Sequence, residues 1–183
     1  PEVLKALSLN PIGHLDDAYL ELMSDVQELL RYAWQCNNRV SLPMSGTGSA
    51  AMEASIANFI EEEETILIAK KGYFGDRLVD MASRYKANVV VIEKEWGEAF
   101  SLDEIKFEIE KNKPSIFAIV HAETSTGVLQ PLDGIGEICR KNNCLFLVDA
   151  VTSLGAVKLL VDDWKIDLAY SCSQKGLSCP PGL

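Results

Sequence analysis

Cys144-Leu145-Phe146-Leu147-Val148-Asp149 is an apolar run closed by a single acid. It does not alternate apolar and polar residues, so it has the pattern of a strand buried on both faces inside a parallel sheet. Comparable short runs recur along the chain at residues 65–69, 88–92, 116–121 and 167–171, with helical patterns between them at 50–60, 76–85, 102–111 and 132–141. Alternation of this kind places the chain in the α/β class, with a mainly parallel central sheet sandwiched by helices. Ligands of such sheets gather outside the carboxyl ends of the strands. Asp149 stands at one of those ends.

Upstream, Leu15, Tyr19, Leu22, Met23, Val26, Leu29, Leu30, Ala33 and Trp34 fall on one helical stripe. The spacing predicts a long amphipathic helix over residues 15–35 whose apolar face joins the core. Ser101 followed by Glu104 is a capping-box pattern that fixes a helix start. Glu61-Glu62-Glu63-Glu64 reads as a solvated helix end and turn.

The chain has 183 residues, of which 48% are hydrophobic and 24% charged, enough to bury the core of one domain. Its formal net charge of −10 and the absence of a basic stripe exclude a nucleic-acid partner. No apolar stretch approaches the roughly 20 residues of a membrane span, and no secretory pattern opens the chain. An intracellular, cytoplasmic location is the expectation. Cys36, Cys139, Cys144, Cys172 and Cys179 are an odd set without C-x-x-C spacing, which suggests reduced buried thiols. His14 and His121 are too far apart for a zinc pair, so no metal is expected, and His121 reads as a structural histidine.

Four predicted strand ends carry groups with chemical potential. Ser45-Gly46-Thr47-Gly48-Ser49-Ala50-Ala51 brings glycines and hydroxyls to a helix N-terminus, an arrangement that binds phosphate. The same letters fit a loose G-x-G-x-x-A dinucleotide pattern, or a turn that only caps a helix. Lys70-Lys71 at the end of the next strand disfavours NAD and permits NADP. Gly72-Tyr73-Phe74-Gly75 offers an aromatic for stacking, or for core packing. His121-Ala122-Glu123-Thr124-Ser125-Thr126-Gly127 offers short hydroxyls, or a plain turn. Asp149, with Lys175 in Ser173-Gln174-Lys175-Gly176 just past the last strand, is the pair that pyridoxal phosphate chemistry requires: an amine for the cofactor aldehyde, and a carboxylate for the pyridine nitrogen. Such a pair also arises as an ordinary surface ion pair. One phosphorylated aromatic aldehyde would use what all four ends supply.

These segments, together with Val148-Asp149-Ala150-Val151-Thr152-Ser153-Leu154-Gly155, resemble the class V aminotransferases, and within them the alanine-glyoxylate or serine-glyoxylate (serine-pyruvate) enzymes. The resemblance runs from Pro11-Ile12-Gly13-His14 to Pro180-Pro181-Gly182. It implies the large domain of a fold type I pyridoxal 5'-phosphate transferase over residues 1–183, with a C-terminal small domain outside this chain. Lys175 would be the Schiff-base lysine and the proton carrier between substrate and cofactor. Asp149 would pair with the pyridinium and Val151 would pack on the ring. Thr47, Gly48 and Ser49 would hold the phosphate, helped by Gln174. Phe74 stands at the stacking position, and Thr124 where a hydroxyl meets the ring or the substrate. The implied reaction moves an amino group from alanine or serine to glyoxylate or a similar 2-oxo acid, in a homodimer when full length.

Two departures accompany the resemblance. Glu61-Glu62-Glu63-Glu64 replaces the family's Glu-Pro-Gly-Asp, losing a turn glycine. The family's small domain, which carries the arginine for the substrate carboxylate, would follow Gly182, so a truncated and inactive form is the expectation for this chain alone. Three rivals remain at this point. A cysteine desulfurase would want a histidine where Gln174 stands. An NADP-binding module would be built on Gly46 and Gly48. A non-catalytic fragment would associate through exposed apolar surface.

Overall fold

The computed structural model describes residues 2–183. Three helices come first, α1 (Glu2–Ala6), α2 (Asp17–Trp34) and α3 (Gly48–Ala57), followed by β1 (Thr65–Lys70), α4 (Tyr73–Arg84), β2 (Asn88–Glu93) and α5 (Leu102–Asn112). Then come β3 (Ile116–Val120), β4 (Ala122–Glu123), β5 (Val128–Leu129), α6 (Ile135–Lys141), β6 (Leu145–Asp149) and β7 (Leu168–Tyr170). The five long-range strands form one parallel sheet in the order β2-β1-β3-β6-β7, while β4 and β5 make a small antiparallel pair.

Side-chain alternation along the central strands divides the core in two. Leu67 and Ala69, Phe117 and Ile119, and Phe146 and Val148 face Ile105 and Ile109 of α5 and Ile135 and Cys139 of α6. Ile66 and Ile68, Ile116 and Ala118, and Leu147 face Met52 and Ile56 of α3 and Leu78 and Met81 of α4. β3 is buried along its whole length. This is the sandwiched parallel sheet that the apolar runs imply, and the strands fall where the sequence puts them.

The apolar stripe of α2 behaves differently from expectation. None of its residues is buried, and Leu22 and Leu29 are more than half exposed. Both sheet faces are already covered by α3 with α4 and by α5 with α6, so only Ala33 and Trp34 reach the core. Among the described residues no helix is long and apolar enough to cross a membrane. All five cysteines are free, and Cys139, Cys144 and Cys172 are buried.

The capping box at α5 is complete: Ser101 Oγ accepts from the Glu104 N–H, and Glu104 accepts from the Ser101 N–H at 2.8 Å. The four-glutamate segment is a turn in which Glu63 takes the glycine's place with φ 68°. A side chain in that left-handed region is strained. Glu63→Gly should therefore raise stability by about 0.5–1 kcal/mol, measured as an increased urea midpoint at unchanged slope.

Candidate active site

The chain leaves β1 for β2 at one side of the sheet and returns to β3 on the other side of β1. The crevice outside β1 and β3 is thus the topological switch point where open α/β sheets hold ligands. Around it lie the segments after β1, β3, β6 and β7, which carry Phe74, Thr124, Asp149 with Val151, and Lys175 respectively.

Asp149 is the last residue of β6 and is buried, with 3% of its surface exposed. The Val151 N–H donates to its Oδ1 at 2.9 Å and the Tyr170 hydroxyl to its Oδ2 at 2.8 Å. Burial pushes its pKa up to about 6, with Glu123 adding to the rise, while the two hydrogen bonds and Lys71 pull the other way. Burial and the neighbouring Asp149 hold the Tyr170 hydroxyl well above its usual range, so it remains a donor.

Thr47 is the N-cap of α3, in extended conformation and without a side-chain capping bond, followed by Gly48 and Ser49 in the first turn. The first-turn N–H groups and the positive end of the helix dipole favour an anion there. Gly46 has φ 154°, and its N–H donates to the Gly182 carbonyl at 2.9 Å. A Cβ on Gly48 would lie 3.2 Å from Val151 Cγ2 and 3.5 Å from Cys172 Cβ, so the start of α3 is tucked against the ends of β6 and β7. Arg77 of α4 donates to Ser49 Oγ at 2.8 Å and brings a cation to this helix start. Arg77 carries no motif in the sequence, although it lies three residues after Phe74 on the same helix, a spacing that shares a face.

Phe74 is half-buried in the first turn of α4 and, like Val151, packs against the Met52–Tyr170 side of the core. Its helix start is held from β4 and the turn after it. The Ser125 hydroxyl accepts from the Tyr73 N–H at 3.0 Å, and Glu123 accepts from the N–H groups of Phe74 and Gly75 at 3.3 Å each. Ser125 in turn donates to Glu123 Oε1 at 2.7 Å. Gly72 is required by this close approach, since a Cβ would lie 2.5 Å from Glu123 Cγ and 2.6 Å from Ser125 Oγ. Gly72→Ala should cost about 2–3 kcal/mol by breaking the clamp on α4, read by chemical denaturation, with cofactor affinity falling alongside.

The Lys175 loop rests on the turn after β6. A Cβ on Gly155 would lie 3.0 Å from the Gly176 carbonyl carbon, and backbone groups of Gln174 and Lys175 approach the Cys172 thiol. Ser173 Oγ donates to the Pro180 carbonyl at 2.6 Å, which folds residues 178–183 back beneath the loop. Lys175 and Gln174 are themselves exposed. Thr124 Oγ1 lies 2.5 Å from Thr152 Oγ1, joining the segment after β3 to the one after β6. The fold thus gathers Thr47, Gly48, Ser49, Phe74, Thr124, Asp149 and Val151 around the switch point. No hydrogen bond joins the side chains of Gln174 or Lys175 to that group.

Two further charges lie inside the site that the sequence did not disclose, Lys71 and Glu123, each with only 1% of its surface exposed. The Lys70-Lys71 pair does not serve as an NADP phosphate site. Lys70 is ion-paired to Asp76 at 2.8 Å and Glu93 at 3.1 Å, and Lys71 points inward to the Val120 carbonyl. His121 is buried edge-on to Trp164 with ring centroids 5.8 Å apart, and burial, with Lys71 adding to it, lowers its pKa to about 4. Its Nδ1 has no hydrogen-bond partner.

A sequence model of the family described as "Aminotransferase class-V" matches residues 8–183. The chain belongs to the class-V aminotransferase family. Among its relatives is the (S)-ureidoglycine–glyoxylate transaminase of Bacillus subtilis (strain 168), 45% identical over 183 residues, which are all of this chain and 44% of that protein. The alanine–glyoxylate aminotransferase of Mus musculus is 41% identical over the same span, again 44% of its length. The crystal structure of an alanine–glyoxylate aminotransferase from Nostoc sp. superposes with a TM-score of 0.98 at 58% identity, covering 100% of this chain and 48% of that one. This class-V chain therefore spans about half the length of the relatives it matches. Membership displaces the NADP-module reading.

Proposed function

We propose that residues 2–183 form the cofactor-binding large domain of a pyridoxal phosphate-dependent transaminase that uses glyoxylate as amino acceptor. The observation that carries this reading is Asp149: a desolvated carboxylate, oriented by Val151 and Tyr170, beside a helix start that Val151 itself touches through Gly48. A carboxylate buried at a strand end needs a cationic partner, and a protonated ring nitrogen is one. The donor set suits the cofactor class V enzymes typically use. Asp149 would take the ring nitrogen, and Thr47, Gly48 and Ser49, with Gln174 and with Arg77 acting through Ser49, would take the phosphate. Phe74 and Val151 would flank the ring, and Thr124 would meet its hydroxyl edge. Bound there, pyridoxal phosphate supplies an aldehyde for amines and a ring that accepts the electron pair left on the substrate α-carbon.

The chain's own residues do the rest. Lys175, on an exposed turn braced by Ser173 and the Gly155 backbone, would supply the amine that holds the cofactor and would carry the proton taken from the substrate. Asp149 would hold a negative charge against the ring nitrogen, in the orientation that the Tyr170 hydroxyl fixes. The Glu123 clamp holds Phe74 in place as substrates exchange.

Glyoxylate is named in each of these relatives, which supports it as acceptor; alanine, named in the mouse and Nostoc proteins, is the proposed donor. Ureidoglycine, named in the Bacillus protein, is a further candidate donor. A cysteine desulfurase remains the less supported alternative, with Gln174 before the lysine. The longer protein is expected to act as a homodimer. The test is an absorption spectrum of purified protein with added pyridoxal phosphate, borohydride trapping and mass mapping, then, in the full-length enzyme, glycine formation from glyoxylate with alanine, serine or ureidoglycine as donor. A label at Lys175 and glycine formed from alanine are the expected results. Folded protein that takes up no cofactor would overturn the reading.

A further inference from the structure

The start of α3 offers an anion hydrogen-bond donors but no full charge of its own. The Thr47 carbonyl accepts from the Ala50 and Ala51 N–H groups at 2.9 and 3.2 Å, whereas the N–H groups of Gly48 and Ser49 find no backbone acceptor among the described residues. A cation reaches this point from another element. Arg77, half-buried on α4, donates to Ser49 Oγ at 2.8 Å and is a partner in none of the ion pairs among the described residues. Its charge is therefore not set against a carboxylate. A guanidinium can only donate, whereas a hydroxyl has one proton and two acceptor lone pairs. With Arg77 placed on the oxygen, the Ser49 proton is left for another acceptor, and the cation polarises the hydroxyl toward it.

We propose that Arg77 is the specificity-determining positioning residue of the phosphate end: through Ser49 it aims a hydroxyl donor and brings a positive charge to the α3 start, so that the site selects a phosphorylated ring over the same ring without its phosphate. This rests on the cofactor reading above, whose ring end is carried by Asp149. The bond spans two helices that pack on one face of the sheet, α3 through Met52 and Ile56 and α4 through Leu78 and Met81. Phe74 and Arg77 lie one turn apart on α4, so a single rigid helix sets the spacing between the stacking side chain and the counter-charge. The two ends answer to different forces. Apolar contact with Phe74 and Val151 would hold the ring whether or not it carries phosphate, whereas the Arg77 charge acts on the phosphate alone.

The test compares two ligands that differ only in the phosphate. In the full-length enzyme, affinities for pyridoxal phosphate and for pyridoxal are measured by absorbance titration in the wild type, Arg77→Met, Arg77→Lys, Ser49→Ala and the double variant Arg77→Met with Ser49→Ala. Arg77→Met should weaken pyridoxal phosphate by about tenfold or more, the range for one hydrogen bond to a charged group, and leave pyridoxal within about twofold. Arg77→Lys, which keeps a cation that can only donate, should recover most of the loss. Because Arg77 acts through Ser49, its replacement should cost clearly less in the Ser49→Ala background than in the wild type. Equal losses for both ligands would overturn the proposal, since they mark a displaced α4 and Phe74 rather than a missing charge. So would unchanged affinities, a loss in Arg77→Lys as large as in Arg77→Met, or losses that simply add in the double variant. Should Arg77→Met not fold, Arg77→Gln takes its place in every comparison. Wild-type protein that binds pyridoxal as tightly as pyridoxal phosphate would sink this inference and leave the ring end of the functional reading standing, while protein that binds neither would sink both.

Discussion

Lys175→Ala in the full-length enzyme is expected to lower kcat for glycine formation by about 10³-fold or more and to abolish the borohydride-stable label. The magnitude follows from two tasks residing in one amine. A positioned proton carrier alone contributes about 10²–10⁴-fold, and on the proposed reading the same side chain would also attach the cofactor. Structure should be spared, because Lys175 is exposed and its loop is held by backbone contacts at Gly155 and by Ser173 rather than by the lysine side chain. Circular dichroism and the urea midpoint should match the wild type, while the absorption spectrum with added cofactor should differ. Adding a small primary amine to the variant should restore part of the rate, since the missing function is an amine in place. A variant that retains turnover within tenfold would remove Lys175 from the mechanism.

Asp149→Asn should divide activity from stability. Turnover is expected to fall by about 10²-fold or more, because a neutral amide cannot keep a ring nitrogen protonated, while the shape of the site is preserved. In the cofactor-free protein the same change should be stabilising at neutral pH. The pKa of Asp149 in the fold is about 6, above the ordinary aspartate value, so the fold binds this proton more tightly than the unfolded chain does. Its stability is full below pH 4 as far as this group is concerned, and is lost as pH rises from about 4 to about 6. The shift corresponds to at most ~3 kcal/mol, less what the amide gives up in hydrogen bonding to Val151 and Tyr170. Urea denaturation of both proteins from pH 4 to pH 8 checks this: the curves should diverge as pH rises, with Asp149→Asn the more stable above pH 6. Parallel curves would mean that Asp149 is not charged at a cost. A stability gain accompanied by lost turnover is the usual signature of a residue kept for chemistry.

How far the sequence reaches is clear from particular residues. Leu145–Asp149 is legible because a strand buried on both faces must be apolar throughout, and an acid ending it must have a reason to be there. The glycine-rich start of α3 is legible because only a tight approach asks for glycines and hydroxyls together. Arg77, Lys71 and Glu123 are not legible. Lys70 and Lys71 are neighbours of identical type, yet one turns out to Asp76 and Glu93 and the other inward to Val120; that choice depends on β3, some fifty positions away. Glu123 looks like one more solvated acid until α4 is seen to lay its N–H groups on it. The stripe on α2 shows the opposite failure, since periodicity tells that a helix has an apolar face and not what covers it.

Residues 180–183 tie Gly46 to Gly182 and Ser173 to Pro180 and Leu183, so the turn before α3 and the turn that bears Lys175 lean on a single strut. Were one molecule gripped at both turns, as proposed, a displacement at the lysine would be handed through that strut to its far end.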